Sequence, residues 1–326
     1  MNPKPQTNEV VGRILAAAAP LVLLVILGVL PFLDLGANRT KLLFLTFLSI
    51  TASVGWNILG GFTGQVSFGF AVFYGLGAYT TALGITAGLS PYATYPLAAA
   101  VAAVASLLIG LPTFRLRGPY FAIATIGVSE AVRVVMTNLS FTGGASGYRI
   151  LERVPFRQVE HYYSGLMLAA MAVGVSMLVR HSRFGLGLRA IHDDQDAAAD
   201  SGVNPYTFKL AAHALAAALT GASGGVYARY AAFINPEGVF GFQRSVSIVL
   251  MPVIGGVNTI WGPVIGGGVY GVIEEELVAR FPQLHLLLYG VLVMLIILFE
   301  PGGVMGLLAR ARRLVLRKKV ASWQPS

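Results

Sequence analysis

Long apolar runs separated by short polar segments fill most of this chain. Crossing the hydrocarbon core of a bilayer takes about 20 apolar residues at 1.5 Å per helical residue, and the runs have roughly that length. They predict spanning helices at 14–33, 42–60, 66–86, 93–113, 119–137, 163–180, 207–232 and 285–299. The pattern therefore predicts an all-α polytopic bundle of roughly 8–10 spans, forming a single domain over residues 1–326.

One apolar stretch, 246–273, carries glycine, asparagine and proline in its middle. These residues interrupt a helix, and a break at membrane depth is tolerated where protein or water satisfies the freed backbone groups. The stretch predicts a broken or re-entrant helix pair. Glycines spaced four apart also predict close backbone contacts between helices, in the pairs Gly60 and Gly64, Gly262 and Gly266, and Gly267 and Gly271.

Composition agrees with a membrane protein: 56% of the residues are hydrophobic and 11% are charged, against about 25% charged in soluble domains. The formal net charge of +9 comes largely from cations in short loops and in the tail 308–326. Cytoplasmic flanks of spanning helices favour such cations, so we expect both termini on the cytoplasmic side and no nucleic-acid partner. The absence of cysteine excludes disulfides and thiolate metal sites.

A polar interruption at 181–206 breaks the apolar pattern in mid-chain. Asp193 or Asp194 is a suitable N-cap for a helix of about two turns, with Asp194 and Asp196 near its positive end. The alanines that follow propagate the helix, and Ser201-Gly202 ends it. Asn204-Pro205 then starts the next spanning helix. The alanine face predicts close docking of another protein, and a solvated connector is the alternative.

A few polar side chains lie inside the predicted spans. Glu130 and Arg133 are three residues apart, so they are expected to pair on one helix face or to line a substrate path. A second polar set is expected to face a central passage or to bridge neighbouring helices. Its members are Asn57, Thr63, Gln65, Ser67 and Asn258.

Motifs for chemistry are missing from the sequence. It contains no G-x-x-x-x-G-K-[ST] phosphate loop, no H-E-x-x-H metal motif and no G-x-S-x-G nucleophile motif. The chain is therefore predicted not to be an enzyme and to bind no metal or cofactor of its own. Energy for any transport has to come from a partner or from an ion gradient.

Six stretches resemble, in order, the branched-chain amino acid ABC transporter permeases of the LivM-type subunit. They are "GWNILGGFTGQVSFGFAVFYGLGAYT", "RLRGPYFAIATIGVSEAVRVV", the segment "SRFGLGLRAIHDDQDAAADSGVNPYTFKL", "LTGASGGVYARYAAFINPE", "LMPVIGGVNTIWGPVIGG" and "LLLYGVLVMLIILFEPGGVMGL". The resemblance implies a bacterial inner-membrane importer, with 181–206 as its cytoplasmic coupling loop. The residues implied to contact an ATPase are Arg189, Asp193, Asp194, Asp196, Ala197, Ala198 and Gly202.

The resemblance also implies partners. These are a second, LivH-type permease, two cytoplasmic ATP-binding subunits that use ATP and Mg, and an extracytoplasmic binding protein. Branched-chain amino acids are the implied cargo, while urea, short amides or other amino acids stay open as alternatives. An ion-coupled secondary transporter is a further alternative, and a membrane-bound enzyme or scaffold is a third.

Overall fold

A computed structural model describes residues 22–33, 36–150, 156–281 and parts of 284–310 of the chain. Predictions for the amino terminus, for most of the run 285–299 and for most of the basic tail lie outside the described residues. The side chains of 274–279 are also outside them.

Helices account for nearly all of the described structure. In chain order they are α1 (Val22–Leu33), α2 (Ala37–Thr63), α3 (Phe70–Thr86), α4 (Pro91–Thr113), α5 (Pro119–Asn138), α6 (Gln158–His181), α7 (Arg183–Asp193), α8 (Gln195–Asp200), α9 (Pro205–Ala231), α10 (Pro236–Phe240), α11 (Phe242–Gly255), α12 (Gly262–Arg280) and α13 (303–310). Two short strands, β1 (Tyr148–Arg149) and β2 (Phe233–Ile234), pair antiparallel. Among the described residues, five helical segments are long and apolar enough to cross a membrane: α2, α4, α5, α6 and the α10–α11 segment Pro236–Gly255. The all-α polytopic prediction is confirmed.

The bundle is built around α2 and α9, which pack against each other, and α3 packs against α9. Small residues make this packing possible. A Cβ atom on Gly77 of α3 would lie 1.9 Å from the carbonyl oxygen of Gly221 on α9, and one on Gly224 would lie 1.9 Å from that of Tyr74. Helix backbones therefore touch directly, as small-residue interfaces in membranes allow.

Apolar side chains also cover much of the outside of the bundle. Leu108 on α4 is 67% exposed, Ile123 on α5 is 65% exposed and Met167 on α6 is 77% exposed. A soluble monomer rarely exposes so extended an apolar surface. The outer faces of α4, α5 and α6 are therefore suited to lipid or to partner helices.

The two ends of the bundle differ. One end, called here the α8 end, carries α7 and α8 between the end of α6 and the start of α9. The opposite end, called the sheet end, carries the β1–β2 pair. A Cβ atom on Gly256 would lie 2.9 Å from the Cβ atom of Met305. Residues 256–261, which join α11 to α12, lie near the α8 end, because Asn258 accepts a hydrogen bond from Arg180 at the end of α6. Helix α13 contacts the start of this loop and therefore lies at the same end.

The predicted break in 246–273 is confirmed as a helical hairpin. Helices α11 and α12 are joined by residues 256–261, and a Cβ atom on Gly266 would lie 1.7 Å from the carbonyl oxygen of Met251. Helix α12 has 19 residues, which corresponds to about 28 Å of length. The hairpin returns the chain toward the sheet end, where a Cβ atom on Gly271 would lie 2.7 Å from the hydroxyl oxygen of Thr46 on α2.

Three details differ from the sequence predictions. The interruption at 181–206 contains an additional helix, α7, because Gly185 and Gly187 pack against the backbone at Val179 and the ring of Phe208. Helix α3 begins at Phe70 rather than at 66, since residues 64–69 are not helical and form the connection between α2 and α3. The Gly60 and Gly64 pair is not a contact between spanning helices: Gly60 makes room for the ring of Trp56.

Candidate functional site

Helix α8 is held by its own sequence at both ends. The carboxylate of Asp194 accepts hydrogen bonds from the backbone N–H groups of Asp196 and Ala197 at 2.8 and 3.0 Å, which lowers the pKa of Asp194. At the other end Gly202 has φ +86° and donates its N–H to the carbonyl of Ala199 at 2.9 Å. The predicted short helix, its N-cap and its glycine stop are confirmed.

The two faces of α8 differ in solvent exposure. Ala198 is 5% exposed and points into the bundle. Ala197, Ala199 and Asp196 are exposed, and Asp196 forms an ion pair at 3.2 Å with Arg117 of the α4–α5 loop. Because Ala198 is buried, the surface available to a partner consists of its two alanine neighbours and the acidic residues beside them.

Two other predicted coupling residues have different surroundings. Asp193 is exposed at the last position of α7. Arg189 is half-buried, and its guanidinium donates to the carbonyls of Gly185 at 3.3 Å and Arg180 at 3.5 Å. Arg189 therefore stabilises the corner between α6 and α7.

A buried lysine joins α8 to the core. The ammonium of Lys209 on α9 donates to the Gln65 side-chain oxygen at 2.8 Å and also to that of Gln195 on α8. Lys209 is 5% exposed, so these two amide oxygens replace water around its charge. The sequence analysis missed Lys209, although a cation within the apolar run 207–232, whose only charged residues are Lys209 and Arg229, was a usable signal.

The break between α11 and α12 is fastened to α2 by one asparagine. Asn57 is fully buried; its Nδ2 donates to the carbonyl of Thr259 at 2.9 Å and its Oδ1 accepts from the backbone N–H of Asn258 at 3.1 Å. Arg180, at the end of α6, donates to the carbonyl of Asn258 at 2.6 Å. We call Asn57, Asn258, Thr259 and Arg180 the α2 clasp.

The remaining polar residues of the α2–α3 junction contact the chain itself. Thr63 donates its hydroxyl to the carbonyl of Leu59 at 2.7 Å and accepts from the N–H of Gln65 at 3.3 Å. The carbonyl of Ser67 accepts from the indole N–H of Trp56 at 2.8 Å. The contacts of Thr63 and Ser67 are local to α2 and the α2–α3 junction, whereas Gln65 joins this junction to α9 through Lys209. The expected place of these residues on a path stays a prediction.

Glu130 and Arg133 lie elsewhere, on the outer face of α5. Arg133 donates its Nε–H to Glu130 at 2.9 Å and forms a second ion pair at 2.7 Å with Glu237 of α10. The expected pairing within α5 is confirmed. Glu237 was not predicted as a partner, because the contact depends on how α10 folds back on α5.

Comparisons with known proteins fit this arrangement. The family described as "Branched-chain amino acid transport system / permease component" matches residues 38–298. The high-affinity branched-chain amino acid transport system permease protein LivM of Salmonella typhimurium is 28% identical over 316 residues, covering 87% of this chain and 74% of the relative.

Two further relatives extend the comparison. LivM of Escherichia coli K12 is 28% identical over 317 residues, with the same coverage of 87% and 74%. LivH of Salmonella typhimurium is 27% identical over 135 residues, covering 41% of this chain and 43% of the relative. No solved structure gives a significant match.

Proposed function

Because the chain belongs to the branched-chain amino acid transport permease family, we propose that it imports branched-chain amino acids as one permease of an ATP-driven transporter. Its companions are a second, LivH-type permease, two cytoplasmic ATP-binding subunits and an extracytoplasmic binding protein. The chain is a multi-pass membrane protein and a permease rather than an enzyme, so ATP and Mg are used by the ATP-binding subunits.

The family match over 38–298 carries this proposal, and the geometry of the α8 end supports it. A capped helix with exposed alanines and carboxylates stands outside the bundle, where an ATPase can bind it. Helix α13 lies at the same end, and the basic tail follows it. The positive-inside rule favours that end in the cytoplasm.

The contacts of α8 suggest how movement enters the bundle. Lys209 connects α8 to the α2–α3 junction through Gln65. Arg180, whose carbonyl oxygen accepts from Arg189 of α7, reaches the hairpin loop at Asn258. In the proposed mechanism, ATP-driven closure of the ATPase dimer displaces α7 and α8, and the bundle changes between two arrangements that ligand and ATP favour differently.

Uptake by the purified, assembled transporter in proteoliposomes tests the proposal. We expect import of labelled leucine that requires the binding protein and internal ATP, and that excess isoleucine or valine inhibits. Inhibition by urea or short amides instead would assign the same architecture to another cargo. Uptake without ATP that an ionophore abolishes would support ion coupling and contradict the proposal.

Copurification tests the partners separately. Tagged protein, extracted from its native membrane in mild detergent, should bring down a second permease and ATP-binding subunits that mass spectrometry identifies. A chain that purifies alone, from a membrane shown to contain those subunits, would contradict the assembly.

A further inference from the structure

The outer face of α5 differs in chemistry from the outer faces of α4 and α6. No charged residue occurs over 93–112 of α4 or over 162–179 of α6. The exposed side chains of both stretches are apolar, as Leu108 and Met167 illustrate. Lipid tails are as apolar as leucine, so these two faces suit the hydrocarbon of a bilayer.

The exposed face of α5 carries a charged side chain far from both ends of the helix. Its exposed positions follow the helical repeat of three to four residues. They include Tyr120, Ile123, Gly127, Glu130, Ala131, Val134 and Val135. Glu130 lies about 16 Å from the first residue of α5 and about 12 Å from the last. Because the hydrocarbon core is about 30 Å thick, this carboxylate lies well inside the span.

Three charged side chains meet on this face. Arg133 forms ion pairs with Glu130 and, at 2.7 Å, with Glu237 of α10. The side chains of Glu130 and Glu237 are 52% and 73% exposed, so both carboxylates face outward. Two carboxylates share one guanidinium, which gives the three side chains a net charge of −1. We call Glu130, Arg133 and Glu237 the α5 trio.

Contacts on the opposite side of α5 hold this face outward. Among the described parts of the chain, the buried residues of α5 are Phe121, Thr125, Ser129 and Met136. The ring of Phe121 stacks on that of Phe114 with 5.1 Å between centroids. The hydroxyl of Thr125 accepts from the backbone N–H of Phe68 at 3.1 Å. The orientation of α5 is therefore fixed, with the trio directed away from the bundle.

The charge of the trio limits what can cover it. A charged side chain surrounded by lipid is costly, and such residues usually face protein or a water-filled cavity. A second copy of this chain fits poorly as well, because a two-fold contact brings the same patch of each copy together. Two negatively charged faces would then oppose each other. A different membrane protein with a cation opposite the trio avoids both costs.

We propose that the outer face of α5 is the surface on which the second, LivH-type permease packs, and that this companion permease places a basic side chain opposite the α5 trio. The faces of α4 and α6 then stay in contact with lipid. This inference rests on the proposed function, which supplies the companion permease, and it assigns that partner to one helix of the chain.

Photocrosslinking in the native membrane tests the face directly. The photoreactive residue p-benzoylphenylalanine replaces Ile123 on α5, or as controls Leu108 on α4 and Met167 on α6, all of them exposed apolar side chains. Each tagged variant is expressed with the complete transporter and irradiated, and its adducts are identified by mass spectrometry. We expect the Ile123 variant to form an adduct with the companion permease and the two controls to form none with it.

Two open glycines provide a matched pair of packing variants. A Cβ atom on Gly127 of α5 or on Gly174 of α6 would meet nothing within 4 Å, so leucine at either position should leave the chain folded, as thermal unfolding can verify. We expect Gly127→Leu to lower the recovery of the companion permease with the tagged chain about ten-fold, because the new side chain fills space that the partner needs. Gly174→Leu should leave the recovery unchanged.

Charge is tested with Glu237→Gln. This substitution removes the net negative charge of the trio and leaves the pair of Glu130 and Arg133 in place. We expect recovery of the companion permease to fall several-fold, since its cation would lose its counter-charge, and Glu237→Asp to retain most of the recovery. Full recovery with Glu237→Gln would overturn the basic side chain opposite the trio.

Other results would overturn the surface itself. One is the absence of a companion adduct from Ile123 in a membrane from which the companion permease copurifies. A second is an adduct between two copies of this chain from Ile123, which would make α5 a self-contact. A third is full recovery of the companion with Gly127→Leu. If no second permease copurified with the unmodified chain, the proposed function would be refuted instead.

Discussion

The side-chain amide of Asn57 holds the backbone at Asn258, 3.1 Å from oxygen to nitrogen, across 201 positions of sequence. Asn258 has φ +62°, a left-handed conformation that asparagine tolerates better than most residues. The same amide binds Thr259. One buried side chain therefore fixes the turn at which α11 reverses into α12.

Replacing Asn57 with alanine should loosen this turn. Two partly buried backbone groups would lose their partners, so the free energy of unfolding should fall by about 1–3 kcal/mol. Thermal unfolding of the purified protein and hydrogen exchange over 256–261 would measure the effect. Asn138→Ala, which removes an exposed amide bonded to its own helix at Val134, is the matched control. If Asn57→Ala and Asn138→Ala lost the same stability and showed the same exchange over 256–261, Asn57 would not be what holds this turn.

The Asp194 cap predicts a pH dependence at α8. Its lowered pKa means that the folded state favours the carboxylate. The stabilisation is therefore complete above the ordinary aspartate pKa and is lost as the pH falls through the lower, folded value. Asp194→Ala should speed amide exchange at Asp196 and Ala197 several-fold at neutral pH, whereas Asp194→Asn should retain most of the protection. Unchanged exchange in Asp194→Ala would show that α8 does not need its cap.

Neighbouring alanines of α8 should respond in opposite ways. Ala197→Arg changes an exposed position, so we expect a folded protein that no longer copurifies with the ATP-binding subunits. Ala198→Arg inserts a long charged side chain at a buried position, so we expect loss of thermal stability before any partner is considered. If the Ala198→Arg protein is stable but no longer copurifies with the ATP-binding subunits, Ala198 itself contacts those subunits.

Close packing of α3 on α9 predicts a sharp difference between glycines. Gly77→Ala forces a methyl group against the carbonyl of Gly221 and should cost about 3 kcal/mol. Gly127→Ala on α5 meets nothing within 4 Å and should raise helix stability by about 0.5–1 kcal/mol. Thermal unfolding of both variants in detergent, measured side by side, tests this difference in stability. A tolerated Gly77→Ala would mean that the two helices separate easily.

Local sequence was sufficient where a structural feature depends on adjacent residues. The caps at Asp194 and Asn204 follow from short spacing rules, and both are observed. The partners of Lys209, Asn57 and Arg133 could not be predicted in the same way, since each is set by which helices become neighbours. Helix α7 was missed for a related reason: its glycines weaken an isolated helix, and only packing against α6 and α9 makes them favourable.

The Lys209 contacts have a mechanical consequence. Three segments meet at this ammonium: α8 through Gln195, the α2–α3 junction through Gln65, and α9 itself. Moving α8 alone would break the hydrogen bond between Lys209 and Gln195 and leave the buried ammonium with only Gln65 as a side-chain partner. An incompletely bonded charge in an apolar interior raises the free energy. Force applied to α8 is therefore shared with the two central helices at once. The short helix behaves as a handle fixed to the bundle, not as a flap hinged at its edge.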